Sequence, residues 1–76
     1  MKEILQTIII NLVEFPDQVS INEVNGQQSI VYEVKVATTD MGKVIGKDGK
    51  LAKSIRSIMK AAAAKEQKRV TVEFID

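Results

Sequence analysis

A Gly-Lys-Asp-Gly tetrapeptide at residues 46–49 separates two stretches that each read as helix, and this junction constrains the fold more than any other part of the 76-residue chain. Downstream, Leu51, Ile55, Ile58, Met59 and Ala62 fall on one side of a helix from Lys50 to about Ala64. Its length would be ~22 Å at the α-helical rise. Upstream, Met41-Gly42-Lys43-Val44-Ile45 is one short helical turn, preceded by Thr38-Thr39-Asp40, whose side chains suit an N-cap. Four residues leave room only for a tight corner between the two. Glycine at both ends permits a sharp turn and lets another backbone come close, because no Cβ stands in the way.

The rest of the chain supplies the sheet that such a helix pair needs. Ile4, Leu5, Ile8, Ile9, Leu12 and Val13 recur at helical spacing and Pro16 provides a stop, which predicts a first helix from about Lys2 to Glu14. Val19 and Ile21, then Ile30, Tyr32, Val34 and Val36, alternate with polar residues at the strand period. Asn25-Gly26 between them predicts a hairpin closed by a type I′ turn. Val70, Val72 and Phe74 alternate in the same way near the C-terminus. The order is therefore α-β-β-α-α-β. The hairpin strands pair antiparallel, and a two-helix crossover returns the last strand parallel to the second, along a right-handed path. The expected architecture is α+β: a three-stranded mixed sheet with the second strand central and three helices covering one face.

The chain has no cysteine and no histidine, which removes disulfides, thiolate metal sites and the usual nucleophile–base pairs. No enzymatic activity, metal, cofactor or small-molecule substrate is expected. The apolar N-terminal run is broken by Glu3, Asn11 and Glu14 and falls short of the ~20 residues of a membrane span, so a soluble, cytoplasmic chain is expected. Net charge is only +1, but it is unevenly placed: residues 1–40 carry −4, residues 41–60 carry +5, and the remainder balances. Positive charge gathered around the glycine corner points to an anionic partner.

Known phosphate loops do not fit. Gly42 and Gly46 are separated by three residues where a Walker A loop has four, and Asp48 stands where its lysine would be followed by Ser or Thr. The dinucleotide fingerprint fails at Val44, which occupies its first glycine position. What remains is a bare corner whose amide N–H groups, at the positive end of the following helix, face outward beside Lys43, Lys47 and Lys50.

Val44-Ile45-Gly46-Lys47-Asp48-Gly49 resembles the signature of the K-homology (KH) domain, an apolar pair followed by Gly-x-x-Gly between two helices. The element order resembles the type II arrangement, with the extra helix and strand before the core, and makes residues 1–76 a single KH domain. More narrowly, "DMGKVIGKDGKLAKSIRSIMKAAAA" resembles the small stand-alone bacterial KH proteins of the KhpA (YlqC-like) family. The resemblance implies binding of single-stranded RNA, with roughly four nucleotides clamped between the loop and the side of the central strand. Gly46, Lys47, Asp48 and Gly49 would hold the RNA backbone, Val44 and Ile45 would line an apolar groove under the bases, and Lys43, Lys47, Lys50 and Lys53 would meet phosphates. Val34, Val36 and Ala37 are candidates for the opposite wall. The resemblance also implies a homodimer, pairing with a larger KhpB (Jag-like) RNA-binding partner, and an RNA-chaperone role linked to cell-envelope growth, cell shape and cell length.

Two points stay open on sequence alone. Asp48 either caps the long helix or stands as a carboxylate that repels a nearby phosphate. The alternative function is a protein–protein dimerisation module on the same scaffold, with little or no RNA binding. Arg56 and Lys60 are assigned to a hydrated helix face opposite the apolar stripe, and Phe15, Tyr32 and Phe74 to core-like patterns that leave little for base stacking.

Overall fold

The structure, a computed structural model, describes residues 1–75. Helix α1 (Lys2–Leu12) leads through a 3-10 turn, Pro16–Gln18, into strand β1 (Ser20–Asn25) and strand β2 (Ser29–Lys35). A second 3-10 turn, Thr38–Asp40, opens helix α2 (Met41–Ile45); a third, Lys47–Gly49, joins it to helix α3 (Lys50–Ala64), and strand β3 (Arg69–Ile75) follows. The sheet order is β1-β2-β3, with β1 antiparallel and β3 parallel to the central β2. This is the α-β-β-α-α-β arrangement expected. Ile30, Tyr32 and Val34 of β2 are buried while Val31, Glu33 and Lys35 are not, so the helices cover one face only. Under them lie Leu5 and Ile9 of α1, Val44 of α2, Ile55 and Met59 of α3 and Val72 of β3, in one cluster. No helix among the described residues is long and apolar enough to cross a membrane.

Several local expectations are corrected, among them the core positions of Ile4 and Phe15, which are 44% and 39% exposed. The hairpin forms, but not through a type I′ turn, because neither Asn25 nor Gly26 has positive φ. Instead Asn25 pairs with Ile30 and the Gly26 N–H donates to the Ser29 carbonyl, so the turn is centred on Gln27-Gln28, two residues further along. A turn centred on Asn25-Gly26 would pair Val24 with Gln27 and leave the far end of β2 without a neighbour. The observed register runs β1 along β2 as far as Lys35 and, being an even shift, keeps every side chain on its face. Helix α1 stops at Leu12, short of Glu14, since the Glu14 and Phe15 N–H groups are bonded elsewhere. Thr38 and Asp40 cap no helix with their side chains. Ile58, placed on the core stripe of α3 by its spacing, is 48% exposed. The buried stripe is Ala52, Ile55, Met59 and Ala63.

Asp40 accounts for two of these departures. Its side chain is 0% exposed, and its two carboxylate oxygens accept the N–H groups of Glu14 and Phe15, each at 3.0 Å. The carboxylate thus ties the end of α1 to the start of α2. Burial pushes its pKa up, but those two N–H bonds and the Lys43 ammonium outweigh it and hold the group below the ordinary aspartate value.

Candidate nucleic-acid interface

The corner after α2 is built from backbone that few residues can adopt. Gly46 has φ 78° and ψ 176°, and Gly49 has φ 73°. A Cβ on Gly46 would lie 2.6 Å from the Leu51 Cβ and 3.0 Å from its backbone nitrogen, so the chain folds back directly on the first turn of α3. On Gly49 a Cβ would meet nothing within 4 Å, which leaves that side of the corner open. Asp48 is also left-handed, with φ 56° and ψ 25°. Aspartate, with its short polar side chain, enters this region more readily than most residues. That conformational need explains an acid in a basic loop. Its side chain does not cap α3, nor does any other, so the positive end of α3 stays open beside Lys47 and Lys50.

The structure gathers Gly46, Lys47, Asp48, Gly49 and Lys50 at this corner, and Lys53 follows one helical turn on. Three other predicted residues sit differently. Lys43 is bound on the α1 side, 3.3 Å from the Glu14 carboxylate and 3.6 Å from Asp40. The hydrogen bond to Glu14 and the two negative charges raise its pKa, so much of its charge is already answered. Val44 is 0% exposed and belongs to the core; Ile45 is half-buried at its margin. Val34, Val36 and Ala37, the candidates for the opposite wall, are buried.

A recess beside α3 has the outer edge of β3 as one wall. The turn at 65–68 brings β3 back alongside α3 toward the loop, with the Lys68 N–H donating to the Ala63 carbonyl and Gln67 in the left-handed region. Between α3 and β3 runs a recess of about 220 Å³ lined by Arg56, Ser57, Lys60, Val70, Thr71 and Val72. It continues past Lys60 to Lys68 and Arg69. Arg56 and Lys60 are exposed, as expected of a hydrated helix face, and both also border this recess. Arg56 donates from Nε to the Val72 carbonyl at 3.1 Å, and its guanidinium carbon lies 5.6 Å from the centroid of the Phe74 ring. Sequence reasoning missed this wall because it is made by one strand edge meeting one helix side. The available signal was that a crossover helix lies against the strand it leads into.

Among the described residues, no group of three or more acidic, His or Cys side chains could hold a metal. A Gly-x-x-Gly corner between two helices, on a three-stranded mixed sheet preceded by an additional helix and strand, defines a KH-type fold. The family profile described as "KhpA/KhpB, KH domain" matches residues 2–74, and the chain belongs to that family. It is 60% identical to the RNA-binding protein KhpA of Clostridium acetobutylicum over 75 residues, 99% of this chain and 100% of the relative. It is 57% identical to the RNA-binding protein KhpA of Caldanaerobacter subterraneus over the same shares. Against the RNA-binding protein KhpA of Chlamydia pneumoniae it is 45% identical over 100% of this chain and 97% of the relative. The family is defined by a KH domain rather than by an enzymatic activity.

Proposed function

We propose that residues 1–76 act as one KH domain that binds single-stranded RNA, with the strand's phosphates on the Gly46–Gly49 corner and its bases in the groove between α3 and β3. The observation that carries this reading is the open side of Gly49: a positively charged corner with no side chain above it admits a sugar-phosphate backbone. Relatives of nearly equal length named as RNA-binding proteins support it. Lys47, Lys50, Lys53 and Lys60 are the phosphate contacts, with Lys43 secondary because Glu14 and Asp40 already hold it.

The test is a labelled oligoribonucleotide titrated with wild type and with Gly49→Asp. Aspartate tolerates the left-handed backbone and its Cβ meets no neighbour, so the variant folds, while its carboxylate stands where the phosphate must go. Affinity is expected to fall by at least ~10-fold, with the repulsion exerted in the same corner. With four phosphates neutralised, wild-type affinity falls ~50-fold between about 50 and about 200 mM salt. Unchanged affinity in Gly49→Asp, or indifference to salt, removes the RNA reading.

Family membership further supports a cytoplasmic protein that works as an RNA chaperone, pairs with a KhpB (Jag-like) protein, and influences cell-envelope growth, cell shape and cell length. Self-association has its own support in Ile58, a β-branched apolar side chain left 48% exposed on α3 beside half-buried Leu51 and Ala62. Ile58→Asp is expected to convert a dimer to a monomer in sedimentation velocity without loss of fold. A wild type that sediments as a monomer at every concentration ends that reading.

A further inference from the structure

We infer that the outer edge of β1 is a strand-addition site for an extended basic segment of a partner polypeptide, one that carries two consecutive lysine or arginine side chains. The site lies at the opposite edge of the sheet from the α3–β3 groove and does not rest on the RNA reading.

The edge is open. Gly26 and Ser29 form a hydrogen-bonded pair, so the antiparallel register places the bonds to β2 on Val24, Asn22 and Ser20. The backbone N–H and C=O groups of Ile21, Glu23 and Asn25 therefore point away from β2, and among the described residues none of them has a hydrogen-bond partner. Proteins ordinarily blunt such an edge with lysine, proline or a bulge. Strand β1 has no lysine and no proline, pairs with β2 along its whole length without a bulge, and leaves Val24 50% exposed. The other edge of the sheet is guarded, since Arg56 holds the Val72 carbonyl of β3 and Lys60, Lys68 and Arg69 stand beside that strand.

Charge selects the occupant. From Glu3 to Val34 the chain has no lysine or arginine, against the carboxylates of Glu3, Glu14, Asp17, Glu23 and Glu33. Glu3 and Glu14 are answered by the Met1 ammonium and by Lys43. Among the described residues Glu23 and Glu33 are in no ion pair, and each is held toward the edge by an asparagine of β1. Asn25 Nδ2 donates to Glu23 and Asn22 Nδ2 to Glu33, both at 2.8 Å. Glu23 pairs with Tyr32 on the face that the helices cover, and Glu33 pairs with Asn22 on the open face. Successive residues of an added strand point to opposite faces, so two neighbouring cations would meet both carboxylates at once. On the helix side a recess of about 400 Å³, bordered by Glu23, Asn25, Tyr32 and Glu66 with Lys2 and Lys68 also on its rim, leaves room for a long side chain. A second copy of β1 brought to this edge carries the same two carboxylates and is repelled.

The experiment uses the full chain and two end-blocked synthetic peptides, Thr-Val-Thr-Arg-Lys-Val-Thr-Val and its counterpart with Glu-Glu in place of Arg-Lys. The basic peptide is expected to bind at least ~5-fold more tightly than the acidic one, because both cross-strand charge pairs change sign between them. With free basic peptide at ~10 times its Kd, amide exchange at Ile21, Glu23 and Asn25 is expected to slow by ~10-fold. The double variant Glu23→Gln, Glu33→Gln keeps the bonds from Asn25 and Asn22, since the glutamine carbonyl still accepts, and is expected to bind the two peptides within about twofold of each other. Equal binding of both peptides by wild type, a preference that survives in the double variant, or edge amides that the basic peptide does not slow each overturns the assignment. Edge amides that become protected as protein concentration rises without peptide make the occupant a second copy, and edge amides slowed by an oligouridine make it RNA; either result also overturns it. Loss of this site leaves the RNA reading standing, because Gly49→Asp tests that reading separately at the glycine corner.

Discussion

Gly46→Ala is expected to cost most of the stability of this domain, while Gly49→Ala leaves it folded. The two glycines stand three residues apart in one loop and both have positive φ, yet their surroundings differ. At Gly46, φ 78° with ψ 176° is a region that only glycine occupies readily, and forcing another residue into it costs about 1–3 kcal/mol. The new methyl group would also lie 2.6 Å from the Leu51 Cβ and 3.0 Å from the Leu51 nitrogen. Backbone there cannot yield without moving the first turn of α3, and overpacking of this kind costs roughly 1–3 kcal/mol more. Together this approaches the ~5 kcal/mol that a small domain has to lose. Gly49 sits in the ordinary left-handed region with open space above it, so only the ~1–2 kcal/mol backbone penalty applies. Urea unfolding of both variants checks the contrast. Equal destabilisation would mean that the loop's packing against Leu51 is not what fixes the corner. The difference matters functionally, because Gly49 is the position at which ligand binding can be probed without unfolding the scaffold.

The parts of this molecule that were legible in sequence are those set by short-range periodicity. Alternation of Ile30, Tyr32 and Val34 named the buried face of β2, whereas the helical spacing in α1 caught buried Leu5 and Ile9 together with Ile4, which is 44% exposed. The glycine pair and its flanking lysines marked the corner for the same reason: backbone freedom and charge are local properties. Register was not legible, since moving the turn two residues along, from Asn25-Gly26 to Gln27-Gln28, shifts the pairing by an even number and leaves the alternation intact. The exact face of α3 was not legible either. Ile58 outweighs Ala52 and Ala63 on any scale of hydrophobicity, yet the alanines are buried and Ile58 is not. The groove wall depended on which strand edge would lie beside α3, and Arg56 looked like any other charge on a helix until the Val72 carbonyl and the Phe74 ring were in place. Asp40 shows the limit most plainly. Its partners are 25 and 26 residues away, and Thr-Thr-Asp before a helix reads locally as an N-cap.

Asp40→Asn is expected to lower the melting temperature by on the order of 10 °C at neutral pH, and Asp40→Ala by at least as much. In the wild type each carboxylate oxygen accepts one N–H, from Glu14 and from Phe15, and the charge is met by Lys43 at 3.6 Å. Asparagine can accept only one of the two bonds, because its NH₂ turns a donor toward the other N–H, and it leaves Lys43 with Glu14 alone. Alanine accepts neither. The sign of the pH dependence follows from the depressed pKa of Asp40: the unfolded chain takes up a proton at the ordinary aspartate value, the folded chain only at lower pH. The stabilisation is therefore fully present above the ordinary value and is lost as pH falls from there through the folded value. Melting wild type and Asp40→Asn side by side from neutral pH into acid should show the gap between them closing across that window. A gap that stays constant into acid would mean that the ionised carboxylate is not what joins the end of α1 to α2. In that case the orientation of the glycine corner would have to come from apolar packing of α2, Val44 foremost.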